Sequence, residues 1–195
     1  MRVPSDSFAS MLRQSLSPLY GLTSLNDMIG YFQLNYYDVI SVACAKVKER
    51  LKELRIGDKH HLLHAFYQLS ESALEKVYGY IHDFEMKVVP YAKELNEKSI
   101  NGHNCAQCSG KCDMGHHALL MQLHHGHQHL QNSLHDLKMG ALPLYSNLEY
   151  PAMYKALRDD LHFIHAKIHD LIYLEEAVLI PKLLESQKKI NAHTN

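Results

Sequence analysis

The sequence lacks the features that mark a membrane or secreted protein. Its longest apolar stretches fall well short of the ~20 residues that a membrane-spanning helix needs. The N-terminal run MRVPSDSFASMLRQSLSPLYG is broken by polar residues and prolines, so it has no signal-peptide core. These absences predict a cytoplasmic protein with no membrane partner.

The sequence also lacks a strong charge of either sign and any glycine-rich motif. The formal net charge is -1 with neutral histidines, and the basic residues are spread out, which argues against a nucleic-acid partner. The nine glycines are scattered. No nucleophile elbow, phosphate loop or dinucleotide fingerprint is present.

Cysteine is scarce and unevenly placed. Three of the four cysteines crowd into the run HNCAQCSGKCDMGHH, which is unlike a secreted disulfide framework. Three thiolates and an imidazole at the start of a helix predict a tetrahedral zinc site. The predicted ligands are Cys105, Cys108, Cys112 and His116. His103 or His117 could replace His116 as the fourth ligand. The alternatives to a zinc site are an iron–sulfur cluster on the three thiolates and a loop whose cysteines are redox-active or have no role.

No stretch alternates like a β-strand, and the apolar residues recur with helical spacing. The helices are predicted from about Ser24 to Arg55 (helix A), from Asp58 to about Lys98 (helix B), from about Asp113 to Met139 (helix C), and from Pro151 to about Lys188 (helix D). The predicted fold is all-α, an antiparallel up-down four-helix bundle. It spans residues 23–189 with a Cys-rich loop at 103–117, an N-terminal arm at 1–22 and a tail at 190–195.

Histidine is the compositional outlier, with sixteen copies. Helix A has none, whereas helices C and D together have ten. His165 and His169 are one turn apart on helix D, a usual spacing for two metal ligands on one helix face. On the neighbouring apolar face Glu175 lies between Leu171 and Val178. A carboxylate buried there is costly without a partner, so we expect a metal, a histidine or a tyrosine beside it.

The end of helix D resembles a known family. The run Leu174–Pro181, LEEAVLIP, is similar to the last helix of hemerythrin-like (HHE cation-binding) bundles, whose pattern is His-x-x-x-Glu-Glu-x-x-Leu-Phe-Pro. The matching residues are Glu175, Glu176, Leu179 and Pro181, while Leu171 stands at the family's histidine. The segments EMKVVPYAKEL and EAVLIPKLLES align on their prolines, which suits the two-fold arrangement of that family. The resemblance covers about residues 24–188 and implies a hemerythrin-like fold.

The resemblance also implies where a bundle metal would lie. Its ligand positions fall on Tyr37, Tyr80, Phe84, His127, Leu171 and Glu175. A di-iron site of the family type needs about five histidines and two carboxylates, so we expect the ordinary di-iron site to be absent. We expect iron or another transition metal on helices C and D instead. Its candidate ligands are His127, His165, His169, Glu175 and Glu176.

Three functions are compatible with these features. The first is a hemerythrin-like metal-binding or sensing module that is not a typical di-iron oxygen carrier. The second, which the resemblance implies, is a non-haem iron protein handling oxygen, nitric oxide or iron for cluster repair. The third is a metal-free pseudo-hemerythrin that serves as an interaction module. Metal ions are the expected partners, and the sequence leaves a homodimer or a protein partner open.

Overall fold

The protein is built from four long helices. The computed structural model describes Leu19, Leu22 and residues 24–57, 64–102, 111–140 and 152–192, and within these ranges no strand is present. Helix A comprises α1 (Leu25–Phe32), π1 (Gln33–Tyr37) and α2 (Asp38–Gly57), and helix B comprises α3 (His64–Asp83), π2 (Phe84–Val88) and α4 (Val89–Asn101). Helix C is α5 (Lys111–Gly140), and helix D comprises α6 (Ala152–Leu174), π3 (Glu175–Leu179) and α7 (Ile180–Ala192). The predicted four-helix bundle is confirmed.

Local chemistry explains the helix ends. Ser24 caps helix A, because its side-chain oxygen accepts a hydrogen bond from the backbone N–H of Asp27 at 3.0 Å. Helix B ends at Gly102, which has φ = 70° and thus takes a conformation that favours glycine. Helix D continues past the predicted end at Lys188 to Ala192. In the part of the chain that the structure describes, no helix is both long and apolar enough to cross a bilayer.

Three of the four helices contain a π-helical segment, which lies near the start of helix A and near the middle of helices B and D. Each segment closes with an i+5 hydrogen bond, as in Ile180 N–H to Glu175 O and Val89 N–H to Phe84 O. Pro181 and Pro90 follow π3 and π2 at the same offset. Proline lacks an N–H and its ring clashes with the carbonyl four residues earlier, so the wider turn relieves a strain that would otherwise kink the helix. No proline follows π1, and nothing in the structure accounts for that segment.

Helix A packs closely against helix D, and helix B against helix C. The start of helix A also contacts the end of helix B. Two salt bridges join helices A and D, from Lys46 to Asp160 at 3.0 Å and from Arg50 to Asp160 at 2.7 Å. The core between the helices is apolar and aromatic, and at its middle lies a small group of buried polar side chains.

Candidate metal centre

Four polar side chains, one from each helix, meet at the middle of the bundle. They are almost fully buried, with exposed fractions of 1% for Tyr37, 8% for Tyr80, 2% for His127 and 0% for Glu175. Tyr37 ends π1, Glu175 begins π3, and Tyr80 lies one turn before π2. Because π segments occur often at functional sites, their position beside this group marks it as the candidate site.

The Glu175 carboxylate is the hub of the group. Its Oε1 accepts a hydrogen bond from the Tyr37 hydroxyl, and its Oε2 accepts one from the Tyr80 hydroxyl. His127 Nε2 lies 2.7 Å from Glu175 Oε2 and 3.0 Å from the Tyr80 hydroxyl. Three polar partners therefore surround a buried carboxylate that would be costly to bury alone.

A second carboxylate orients the histidine. Glu176 Oε1 lies 3.2 Å from His127 Nδ1, and the Glu176 side chain is 52% exposed. An acceptor at this position favours the tautomer with the hydrogen on Nδ1. Nε2 then carries a lone pair that faces a carboxylate oxygen, so either a proton or a cation must lie between the two atoms.

Burial and charge shift the pKa values of the group. Burial, and then the negative charge of Glu175, raise the pKa of both the Tyr37 and the Tyr80 phenol well above its usual value. Burial lowers the pKa of His127, but hydrogen bonds and charges from Glu175 and Glu176 outweigh it, so the pKa is raised. Without a metal, the phenols stay protonated and the imidazole favours its cationic form.

A glycine makes room for the Tyr80 ring. A Cβ atom placed on Gly126 would lie 2.7 Å from two ring carbons of Tyr80. The ring therefore packs directly on the backbone of helix C, next to His127. This close approach sets the distance between the Tyr80 hydroxyl and the imidazole.

The two remaining positions of the family pattern are apolar. Phe84 is 1% exposed and stacks on Tyr37 with ring centroids 4.1 Å apart, and Leu171 is also 1% exposed. Neither side chain offers a lone pair to a metal. The group thus has one imidazole and one buried carboxylate where a hemerythrin-type di-iron site needs about five histidines and two carboxylates. The residues present do not fit a di-iron centre.

The structure separates His165 and His169 from the buried group. Both line a groove between helices C and D together with His135 and Lys138. Burial, followed by the charge of Lys138, lowers the pKa of His165. The sequence placed His165 and His169 beside His127, whereas the structure gives His127 the partners Tyr80 of helix B and Glu175 and Glu176 of helix D.

The predicted zinc ligands fall at or beyond the edge of the described residues. Cys105 and Cys108 lie outside them. Cys112 and His116 belong to the first turns of helix C, and only their backbone is described. The zinc site stays a prediction.

Sequence reasoning named His127, Glu175 and Glu176 and placed Tyr37 and Tyr80 at ligand positions without proposing them as ligands. The sequence signal that pointed to the tyrosines was the cost of burying Glu175, which required a metal, a histidine or a tyrosine beside it. Among the described side chains, no group of three or more His, Cys, Asp and Glu residues is arranged to hold a metal ion. The hydroxyl oxygens of Tyr37 and Tyr80 are further potential metal donors beside Glu175.

Comparison of the chain with family models, curated proteins and solved structures finds no significant match in any of the three. The geometry of the buried group is therefore the basis on which a function is inferred.

Proposed function

We propose that the protein is a metal-binding module that holds one ion at the centre of a hemerythrin-like, up-down bundle. The observation that supports this is the convergence of Tyr37, Tyr80 and His127 on the buried carboxylate of Glu175. A metal with bonds of about 2.0–2.2 Å holds neighbouring donors roughly 2.8–3.6 Å apart, from octahedral to tetrahedral geometry. The 2.7 Å and 3.0 Å separations around His127 Nε2 are close to that spacing.

The environment of His127 supports the same proposal. A histidine that binds a metal through one ring nitrogen usually donates its other N–H to a carboxylate, which fixes the tautomer and the ring orientation. Glu176 takes that place at Nδ1, while Nε2 faces the other donors. Glu176 therefore acts as the positioning residue and Glu175 as the ligand.

The charge of the donor set favours a trivalent ion. Two phenolates and one carboxylate carry a charge of about -3 once they bind a metal, and the imidazole is neutral. A buried net charge is costly, so Fe(III), which balances this charge, fits better than a divalent ion. Tyrosinate is also an established ligand of iron in proteins.

The same set argues against reversible oxygen carriage by a di-iron pair. Phe84 and Leu171 take the positions of two family ligands and close the space around the donors with apolar groups. The centre accordingly has donors for one ion. We propose binding or sensing of the ion itself as the function, in place of oxygen transport.

A metal-free interaction module is the second candidate. The hydrogen bonds of the group favour this candidate. When His127 is protonated, its Nε2–H donates to Glu175, and every polar atom of the contact has a partner without a metal ion. In that case the network specifies the packing of the four helices, as buried polar groups do in some bundles.

Titration of metal-free protein with Fe(III) citrate distinguishes the two candidates. One bound iron per chain and a visible tyrosinate-to-iron charge-transfer band are expected. Tyr37→Phe and Tyr80→Phe should each weaken the band, and the double variant should abolish it. Tyr173→Phe removes a partly exposed hydroxyl of helix D and serves as the matched control. If wild-type protein takes up no iron and shows no tyrosinate-to-iron band, the metal proposal is wrong.

A further inference from the structure

A cavity of about 230 Å³ lies between helices B and C and reaches the buried group. Its inner wall includes the rings of Tyr80 and Phe84 and the backbone at Gly126. Tyr80 is the residue whose hydroxyl contacts Glu175 and His127. A molecule in this cavity would therefore touch a proposed ligand of the metal centre without replacing any polar contact inside it.

The cavity walls are mostly apolar, with Val88, Leu119, Leu123 and Leu130 beside the two aromatic rings. A dry apolar cavity of about 150 Å³ holds benzene, so this volume suits a chain or ring of roughly six to ten carbon atoms. Apolar burial supplies the affinity for such a body.

The rim of the cavity is positively charged. Lys76 and Lys87 both line it, and Asp83 is the acidic residue among the lining side chains. The Asp83 carboxylate is occupied by Lys87 at 2.7 Å and by Gln122 of helix C at 3.0 Å. Lys76 makes no ion pair with any side chain that the structure describes. Among the described side chains, one positive charge at the rim is thus uncompensated, and it suits an anionic head group.

We propose that this cavity binds a small carboxylate with an apolar body, such as a medium-chain fatty acid, with its head group at Lys76 and its chain against Tyr80. The cavity would then give the protein an organic ligand in addition to a metal. The part of this inference that couples the ligand to the metal depends on the function proposed above, whereas binding itself does not.

Isothermal titration of octanoate into metal-free protein tests the binding. Wild-type protein should bind octanoate more tightly than octan-1-ol, by up to about fivefold, since a rim ion pair contributes up to about 1 kcal/mol. Lys76→Met should remove this preference. Lys48→Met, at an exposed position of helix A, is the matched control and should leave the preference unchanged.

A substitution that fills the cavity tests whether octanoate binds there. Leu119→Phe places a larger side chain on its wall and should weaken octanoate binding, with the melting temperature reporting whether the variant is folded. Absence of octanoate binding to wild-type protein, equal binding of octan-1-ol, or a folded Leu119→Phe variant that binds normally would each overturn the proposal.

The coupling to the metal has a separate readout. Octanoate should shift the tyrosinate-to-iron band of iron-loaded wild-type protein, because the chain packs on the Tyr80 ring. A protein that binds octanoate but never develops the band would contradict the proposed metal function and leave the ligand site supported. A band that forms but ignores bound octanoate would overturn the coupling.

Discussion

His127 Nε2 and Glu175 Oε2 lie 2.7 Å apart, and the two side chains are 2% and 0% exposed. This is the most deeply buried pairing of a histidine and a carboxylate among the described residues. Removing one partner of a buried pair leaves the other without compensation, which typically costs about 3–5 kcal/mol.

His127→Leu should accordingly lower the free energy of unfolding of metal-free protein by about 3–5 kcal/mol. The loss arises because Glu175 keeps its two tyrosine donors but loses the cationic partner. Urea denaturation in the presence of a chelator measures it. His125→Leu, two residues away on the exposed side of helix C, should change stability by less than ~0.5 kcal/mol. Equal effects of the two substitutions would contradict the buried pair.

Two helical glycines should respond to alanine with opposite signs. Gly126→Ala brings a Cβ to 2.7 Å from Tyr80 and should destabilise the protein by about 1–3 kcal/mol, since the ring or helix C must shift. Gly79→Ala meets nothing within 4 Å and should stabilise it by up to ~1 kcal/mol through helix propensity. Thermal denaturation of both variants provides the comparison, and a stabilising Gly126→Ala would show that the ring does not pack on the helix C backbone.

Acidification should weaken the fold through His165. Burial, then the charges of Lys138, His169 and His162, lower the pKa of His165 below its usual value, so the unfolded chain takes up this proton at a higher pH. The stability contributed by neutral His165 is present above about pH 6.5 and is lost as pH falls through the folded-state pKa.

The variant that tests this is His165→Gln. Its unfolding free energy should decline less than that of wild type between about pH 7 and pH 5, the range over which histidines titrate. The exposed His125→Gln variant should keep the wild-type decline. An unchanged slope in His165→Gln would show that another group governs the acid response.

The Cys-rich loop is predicted to hold one zinc ion per chain. Cys112→Ser should remove that zinc and lower the melting temperature, because structural zinc stabilises the fold around it. Cys44→Ala is the control: Cys44 is fully buried in helix A, and burial raises its thiol pKa to about 12, so it stays a neutral thiol. Elemental analysis of both variants checks the result. Zinc that persists in Cys112→Ser places the metal elsewhere.

The sequence predicted the bundle and much of its centre for physical reasons. The apolar period located the helices, and the cost of a carboxylate between Leu171 and Val178 predicted a polar partner for Glu175. His127 was selected from a histidine-rich helix because it matches the ligand position that the family resemblance implies, and leucines flank it on one face. These are local signals, and a single helix carries each of them.

Other features of the centre depend on the register and orientation in which the helices pack. The residue pattern of a single helix does not determine either. The close packing of helix B on helix C at Gly126 brings Tyr80 to His127, and this contact needs both helices in register. His165 and His169 have suitable ligand spacing, yet their helix face turns toward a separate groove beside Lys138. The π segments escaped prediction because a uniform 3.6-residue period was assumed.

Each π segment changes the direction in which the side chains downstream of it point, compared with a regular α-helix of the same sequence. An α-helix turns about 100° per residue, and a π segment accommodates one residue more than the regular spiral would. Adjacent Tyr36 and Tyr37 are both buried at such a seam. If the same residues instead followed a regular α-helical spiral, the downstream half of helix A would be rotated by about 100°. The wide turn at each seam is thus as strict a requirement for the centre as the identity of its donor residues.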